Sequence, residues 1–281
     1  MPIPSLDELL ADDGVRGRRV FVRADLNVPL DGARVTDDTR IRASLPTLRR
    51  LLAGGARVVL ASHLGRPKGE RKPALSLAPV AKRLAELLGR PVAFADDCIG
   101  APARAAAEAL RDGEVVLLEN LRFHAGETKG DEAFARELAS LAQDYVNDAF
   151  GAAHRAHAST SVIAGLVERA VAGDLLKSEL DHLRVVLEPK RPLLCLLGGA
   201  KVSDKLAVLE ALAPHANVLA IGGAMAYTFL AARGEEVGAS LVERDRLEDA
   251  RRVEAAAKGA GDELLLPTDH VVVEKLARDA P

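Results

Sequence analysis

Short apolar runs separated by amphipathic helical stretches recur along the whole chain, and that alternation limits the fold more than any other feature. RRVFVRA (18–24), RVVLAS (57–62), PVAF (91–94), EVVLL (114–118) and QDYVND (143–148) read as strands. Between them, Leu77, Val80, Leu84, Leu87 and Leu88 share one face of a helix over 76–88, with Ser76 as its cap and Gly89 as its stop. Leu45, Leu48, Leu51 and Leu52 mark another over 44–53, with Ser44 as cap and Pro46 in the first turn. Strands alternating with helices give right-handed βαβ units and a parallel sheet.

The stretch GDLLKSELDHLRVVLE (173–188) reads as one helix that stops at Pro189. The rhythm then restarts, with strands at 193–197, 217–221, 263–266 and 270–273 and helices at 202–213, 224–232 and 243–258. The expected fold is α/β: two Rossmann-like domains with parallel sheets, 1–172 and 189–281, joined by a connecting hinge helix at 173–188. A length of 281 residues suffices for two such domains, and with aromatics at 3% the packing must be aliphatic. A net charge of −3 gives no global basic field, so neither nucleic acid nor a membrane surface is an expected partner. Cys98 and Cys195 cannot form a disulfide framework, and the acidic start MPIPSLDELLADDG does not resemble a leader, so the expected setting is the cytoplasm.

Ligands of open parallel sheets bind outside the carboxyl ends of the strands. Strand one is followed by Asp25 and Asn27, strand two by His63 and Arg66, strand four by Glu119, Asn120 and Arg122, and strand five by His154, Arg155 and His157. Arg40 lies in the region leading off strand one. A lone loop arginine is most often a solvated charge. Cations from separate strand-end loops repel one another unless an anion sits among them, and guanidinium groups suit carboxylate and phosphate oxygens. The expected guest is small and multiply negative. His154 and His157 have metal-ligand spacing, but the Arg between them and the lack of a nearby cysteine argue against a metal.

In the second half, CLLGGAKVSDKLAVLEAL places Gly198, Gly199, Lys201 and Lys205 between a strand and a helix. Lysines at a helix N-terminus oppose its dipole, and a phosphate would resolve that conflict. The alternative is surface lysines near a tight turn. Gly222 and Gly223 repeat the strand–Gly–Gly–helix device, as ligand-approach or packing glycines. Neither a Walker A loop nor a G-x-G-x-x-G fingerprint occurs. Two anion sites on two domains fit phosphoryl transfer, which needs positioning and charge neutralisation more than a nucleophilic side chain.

Taken together, VFVRADLNVPL, DDTRIRASLPTL, SHLGRPKG, LLENLRFHAGE, VNDAFGAAHRAHAST and LLGGAKVSDKLAVLEAL closely resemble phosphoglycerate kinase, in register from near residue 5 to the end. The resemblance implies a two-domain glycolytic enzyme, a monomer, that exchanges a phosphoryl group between 1,3-bisphosphoglycerate and ADP. ATP or ADP is the co-substrate and Mg²⁺ is bound with it; no residue of this chain is assigned to the metal. Asp25, Asn27, Arg40, His63, Arg66, Arg122 and Arg155 match the residues that bind 3-phosphoglycerate. Lys205 matches the nucleotide-phosphate lysine, and Lys201 the lysine that accompanies the moving group. Gly199, Ala200, Gly222 and Gly223 match part of the adenine pocket. Arg40 and Lys201 are the expected catalytic pair, and closure about the 173–188 helix would expel water. Family members continue past VVVEKLARDAP to a Gly-Gly-Asp-Ser/Thr loop, so the second sheet is expected to be incomplete and to present an apolar edge. An inactive chain that only binds 3-phosphoglycerate is the alternative.

Overall fold

Val20, Phe21, Val22 and Ala24 have no solvent exposure, and neither have Val58, Val59, Leu60 and Ala61, so the first two apolar runs are central strands buried on both faces. In the computed structural model, which describes residues 3–11, 14–187, 190–259, 263–271 and 273, the chain divides into two compact units, 1–180 and 181–281.

The first unit is built on a six-stranded parallel sheet: β1 (Arg19–Ala24), β4 (Arg57–Ala61), β5 (Ala93–Ala95), β6 (Val115–Leu118), β7 (Asp144–Asp148) and β8 (Arg169–Ala172). Their order across the sheet is β5-β6-β4-β1-β7-β8. The chain leaves β1 toward β4 on one side and leaves β7 toward β8 on the other. The switch point, where a crevice opens at the carboxyl edge, therefore lies between β1 and β7. Alternate residues feed two cores. Val20, Val22, Val58, Leu60, Val115 and Leu117 pack under α1 (Leu6–Leu10), α2 (Thr39–Ala53) and α3 (Ala78–Leu88). Phe21, Val59, Val116, Leu118 and Tyr145 pack under α4 (Gly100–Glu108) and α6 (Glu132–Ala139) on the other face.

Three sequence expectations need correction. Helix α2 starts at Thr39 behind Asp38, so Pro46 lies inside the helix, and Ser44 is buried there with its hydroxyl donating to the Arg40 carbonyl at 3.3 Å. A helix interior tolerates proline where the lost N–H bond is offset by packing, here by Leu45 and Leu48 on the core face. A short hairpin, β2 (Leu30–Asp31) with β3 (Arg34–Val35), and β8 were not expected. Of the strand expected at 270–273, His270, Val271 and Val273 are not in a strand, and Val272 lies outside the described residues. Gly89 does stop α3, in the left-handed region at φ 68°.

Helix α8 (Asp174–Leu187) begins against the end of β7. The Leu175 and Leu176 N–H groups donate to Asp148 Oδ1 at 3.0 and 3.3 Å, and the Asp174 N–H donates to Thr47 Oγ1 at 2.9 Å. A Cβ on Gly173 would lie 2.2 Å from that Asp148 oxygen, so only glycine fits beside it. Burial pushes the Asp148 carboxyl up from 3.8 to about 6, against the bonds from Thr47, Leu176 and Leu175. A raised folded-state value means that the stabilisation is complete below 3.8 and is lost as pH rises through about 6. The wild type is therefore expected to gain stability in urea relative to Asp148→Asn as pH falls across that window. Identical pH slopes for the two proteins would show that the carboxyl is not perturbed.

The second unit has a three-stranded parallel sheet, β11-β10-β9, from β9 (Leu194–Gly198), β10 (Val218–Gly222) and β11 (Glu263–Leu265). Leu209 of α9 (Leu206–Leu212), Phe229 of α10 (Met225–Ala232) and Val253 of α11 (Leu247–Gly259) form its core with Leu219 and Ile221. Leu194 and Leu196 of β9 and Leu265 of β11, the two outer strands, are exposed, so among the described residues this sheet also presents an apolar face.

Candidate functional site

The opening of the site is set by the turn after β4. Gly65 sits at φ +60°, and a Cβ there would meet Leu75 Cδ2 at 2.8 Å. Its N–H donates to Asn27 Oδ1 at 2.9 Å, and its carbonyl accepts from Arg122 Nη1 at 2.9 Å. The loops after β1, β4 and β6 are thus clamped together through one backbone unit. Asn120 completes the clamp, its amide nitrogen donating to the Leu64 and Leu75 carbonyls at 2.8 and 2.9 Å. Buried Glu119 accepts from the Leu77 N–H at 2.8 Å and the Ser76 hydroxyl at 2.7 Å. Of the polar residues after β6, Arg122 faces the ligand space and the other two hold the loops.

Above this clamp lies a cavity of about 220 Å³ lined by Asp25, Asn27, Arg40, His63, Gly65, Arg66, Arg122, Gly151 and Arg155. All seven residues matched to substrate binding come together here. Lys68, the third basic residue of the SHLGRPKG loop, is exposed and is not in the lining. Gly151 was not foreseen; a Cβ on it would lie 2.7 Å from Asp25 Oδ2, so glycine lets α7 (Phe150–Ala153) close on the β1 loop.

Charge in the cavity is strongly one-sided. Asp25 pairs with Arg40 Nη1, and among the described residues Arg66, Arg122 and Arg155 have no salt bridge to a carboxylate. Burial, then the charges of Arg155 and Arg23, lower the Arg122 pKa, and its buried Nε has no partner. His63 departs from expectation. Burial foremost, then Arg23, Arg122, Arg155 and His157, pushes its pKa from 6.5 down to about 2. The imidazole is neutral, and the positive field comes from the arginines alone. Such a cavity suits a small polyanion, and its size falls below the roughly 300–1,000 Å³ of larger ligand sites.

In the second unit the two glycine turns stack. Gly223 is at φ +69°, and a Cβ there would lie 2.8 Å from the Gly199 carbonyl oxygen; the Met225 N–H donates to the same oxygen at 2.9 Å. Ala200, Lys201, Lys205 and Gly223 are exposed and Gly199 and Gly222 half-buried around these adjacent strand ends. Lys205 is the N-cap of α9 rather than part of its first turn, so the dipole conflict applies to Lys205 and not to Lys201. A larger cavity of about 990 Å³, bordered by Ala224, Tyr227, Leu230, Leu241, Pro267 and His270, was not foreseen.

The fold and first-unit site define an α/β protein with a small, arginine-rich cavity suited to a multiply charged anion at the switch point of a parallel sheet. The sequence model "Phosphoglycerate kinase" matches residues 10–281. A phosphoglycerate kinase of Parasynechococcus marenigrum (strain WH8102) is 56% identical over 278 residues, covering 98% of this chain and 69% of that protein. The structure of phosphoglycerate kinase from Coxiella burnetii superposes with a TM-score of 0.88 at 38% identity, covering 100% of this chain and 70% of that one. The Pyrococcus horikoshii OT3 enzyme gives 0.77 at 29%, covering 94% and 67%. The chain belongs to the phosphoglycerate kinase family. It is a glycolytic kinase, a transferase with a nucleotide co-substrate. Among the described residues no helix is long and apolar enough to cross a membrane.

The family implies Mg²⁺ as well. At the β9 turn Lys201 and Lys205 are cationic, exposed Asp204 between them is the one carboxylate, and the nearby Ser203 hydroxyl is bonded to Glu243 at 2.6 Å. Mg²⁺ requires oxygen ligands, so this turn fits phosphate, and the ion would be held by nucleotide oxygens rather than by Lys201 or Lys205.

Proposed function

We propose that the chain catalyses phosphoryl exchange between the acyl phosphate of 1,3-bisphosphoglycerate and ADP, in glycolysis and in reverse in gluconeogenesis. The observation that carries this reading is the single cavity shared by Asp25, Asn27, Arg40, His63, Arg66, Arg122 and Arg155, which suits 3-phosphoglycerate: one carboxylate, one phosphate and one hydroxyl within the reach of Asp25 and Asn27. The nucleotide belongs at Gly199, Ala200, Lys201, Lys205, Gly222 and Gly223, with Mg²⁺ arriving on its phosphates. No general base is needed, because the attacking oxygen is an ionised carboxylate or an ADP phosphate. What the protein supplies is position and charge. Arg40 has one guanidinium nitrogen engaged by Asp25 and leaves the rest of its fork for the transferring group. Lys201 serves that group from the nucleotide side.

The division into 1–172, a connector at 173–188 and 189–281 is part of this reading, since α8 crosses the boundary between the compact units at 180/181. A glycolytic role carries a cytoplasmic setting, and we take the chain as a monomer. The test is turnover by the 281-residue chain with ATP, Mg²⁺ and 3-phosphoglycerate, coupled to reduction of the acyl phosphate. Turnover is the expected result. Calorimetric binding of 3-phosphoglycerate without turnover would assign the chain to capture alone, and absence of both would remove the substrate assignment.

A further inference from the structure

Beside the cavity, and outside its lining, Arg23 is fully buried on β1. Its Nε donates to Ser159 Oγ at 2.9 Å, its Nη1 donates to the Ala24 carbonyl, and its Nη2 lies 3.0 Å from His63 Nδ1. A guanidinium carries only donors. His63 Nδ1 must therefore be the acceptor in that contact and cannot bear a proton. A neutral imidazole then has its hydrogen on Nε2. The same logic fixes the rest of the chain of contacts. The Ser159 hydroxyl accepts from Arg23, so its own hydrogen is free to go to Glu127 Oε1 at 2.7 Å, while the Ser159 N–H donates to Oε2 at 3.0 Å. Glu127 is fully buried. Burial alone would raise its carboxyl pKa, yet His157, Arg23 and Ser159 hold it below its ordinary value, so it stays the anion that balances Arg23.

We propose that Arg23 is a positioning residue: anchored through Ser159 to Glu127, it fixes His63 as the Nε2–H tautomer and aims a neutral N–H donor into the anion cavity. The cavity already collects Arg40, Arg66, Arg122 and Arg155. A further cation would add repulsion in the empty site, whereas a neutral donor contributes a directed hydrogen bond without charge. The groups that act most on His63 are Arg23 from β1, Arg122 from the loop after β6, and Arg155 and His157 from the loop after α7, and each disfavours an imidazolium. Arg40 and Arg66 line the same cavity, and its carboxylate, Asp25, is paired with Arg40. Glu127, the counter-charge, is screened from His63 by Arg23 and Ser159. This deepens the reading above and rests on it only for the identity of the ligand.

The experiment is long-range proton–nitrogen correlation NMR on the whole chain with labelled histidine, without ligand, from about pH 8 down to about pH 5. His63 is expected as the Nε2–H tautomer, with no titration. Arg23→Met combined with Glu127→Gln removes both ends of the buried pair and leaves no unpaired charge. In that variant His63 is expected to become a mixture of tautomers and to titrate within the range. Its 3-phosphoglycerate affinity should be about tenfold weaker at the alkaline end and recover as the imidazole gains a proton. A purely structural role for Arg23 would lower affinity without that pH signature. An Nδ1–H or charged His63 in the wild type, or a folded double variant with an unchanged tautomer and affinity profile, overturns the proposal. The wild-type spectrum decides the tautomer whether or not the variant folds. Failure of the wild type to bind 3-phosphoglycerate would instead overturn the substrate reading alone.

Discussion

Arg122→Ala is expected to weaken 3-phosphoglycerate binding by about 1.5–3 kcal/mol, roughly 10- to 150-fold, the range for hydrogen bonds to a charged group. Arg122 is only 6% exposed, its guanidinium is held by one nitrogen to the Gly65 carbonyl, and its buried Nε has no partner. Leaving such a donor unmet costs stability in the free protein. The charges that act most on Arg122, Arg155 and Arg23, are of its own sign, so an anion entering the cavity relieves two penalties at once. The variant should therefore lose most of the ligand-induced rise in melting temperature while the ligand-free midpoint moves far less. Titration calorimetry and paired melts with and without ligand read the two quantities. Lys68→Ala is the control: that exposed residue lies outside the lining and should leave affinity unchanged. Equal affinity in the Arg122 and Lys68 variants would show that Arg122 is a structural clasp for the Gly65 loop and not a ligand contact.

The parts of this site that were legible in the sequence are those whose chemistry is written in the side chain. A cation directly after an apolar run becomes a strand-end cation in a parallel sheet, and that rule alone gathered Arg66, Arg122 and Arg155. Gly151 escaped it because a glycine carries no chemistry to read, and its role appears only when the distance to Asp25 is known. Arg23 escaped for another reason. On a strand it looks like an outward-facing residue, and its partners Ser159 and His63 are 136 and 40 positions away. The His63 charge state was missed for the same cause, since burial and the sum of neighbouring charges are properties of the fold. Helix α2 shows the opposite kind of error. Ile41 already continued the spacing of Leu45 and Leu48, but Pro46 was given more weight than that periodicity, and the first turn was lost. Packing under the sheet outweighed the local preference.

The two edges of the six-stranded sheet use charge in opposite ways, and Asp144→Ala separates them. At the amino edge, fully buried Asp144 accepts from Arg18 Nε at 2.8 Å and from Arg169 Nε and Nη2, each at 2.7 Å, tying the starts of β1, β7 and β8 together. Burial would raise its carboxyl pKa, but the bonds from Arg169 and Arg18 outweigh burial and hold it below 3.8. A lowered value contributes stability above the ordinary carboxylate range and loses it as pH falls through the folded-state value. Removing the carboxylate is expected to cost about 3 kcal/mol at neutral pH, the low end for breaking a buried pair. The low end applies because the Arg18 and Arg169 side chains keep 32% and 37% exposure and can turn to water. The loss should appear in urea unfolding and should shrink on acidification, as the wild type surrenders the same contribution. The folded variant should bind 3-phosphoglycerate as tightly as the wild type, because paired charge at the amino edge holds the sheet while unpaired charge at the carboxyl edge holds the guest. A fall in affinity matching the fall in stability would mean that the two edges are one mechanical unit, and that the arginine cavity depends on the amino edge for its shape.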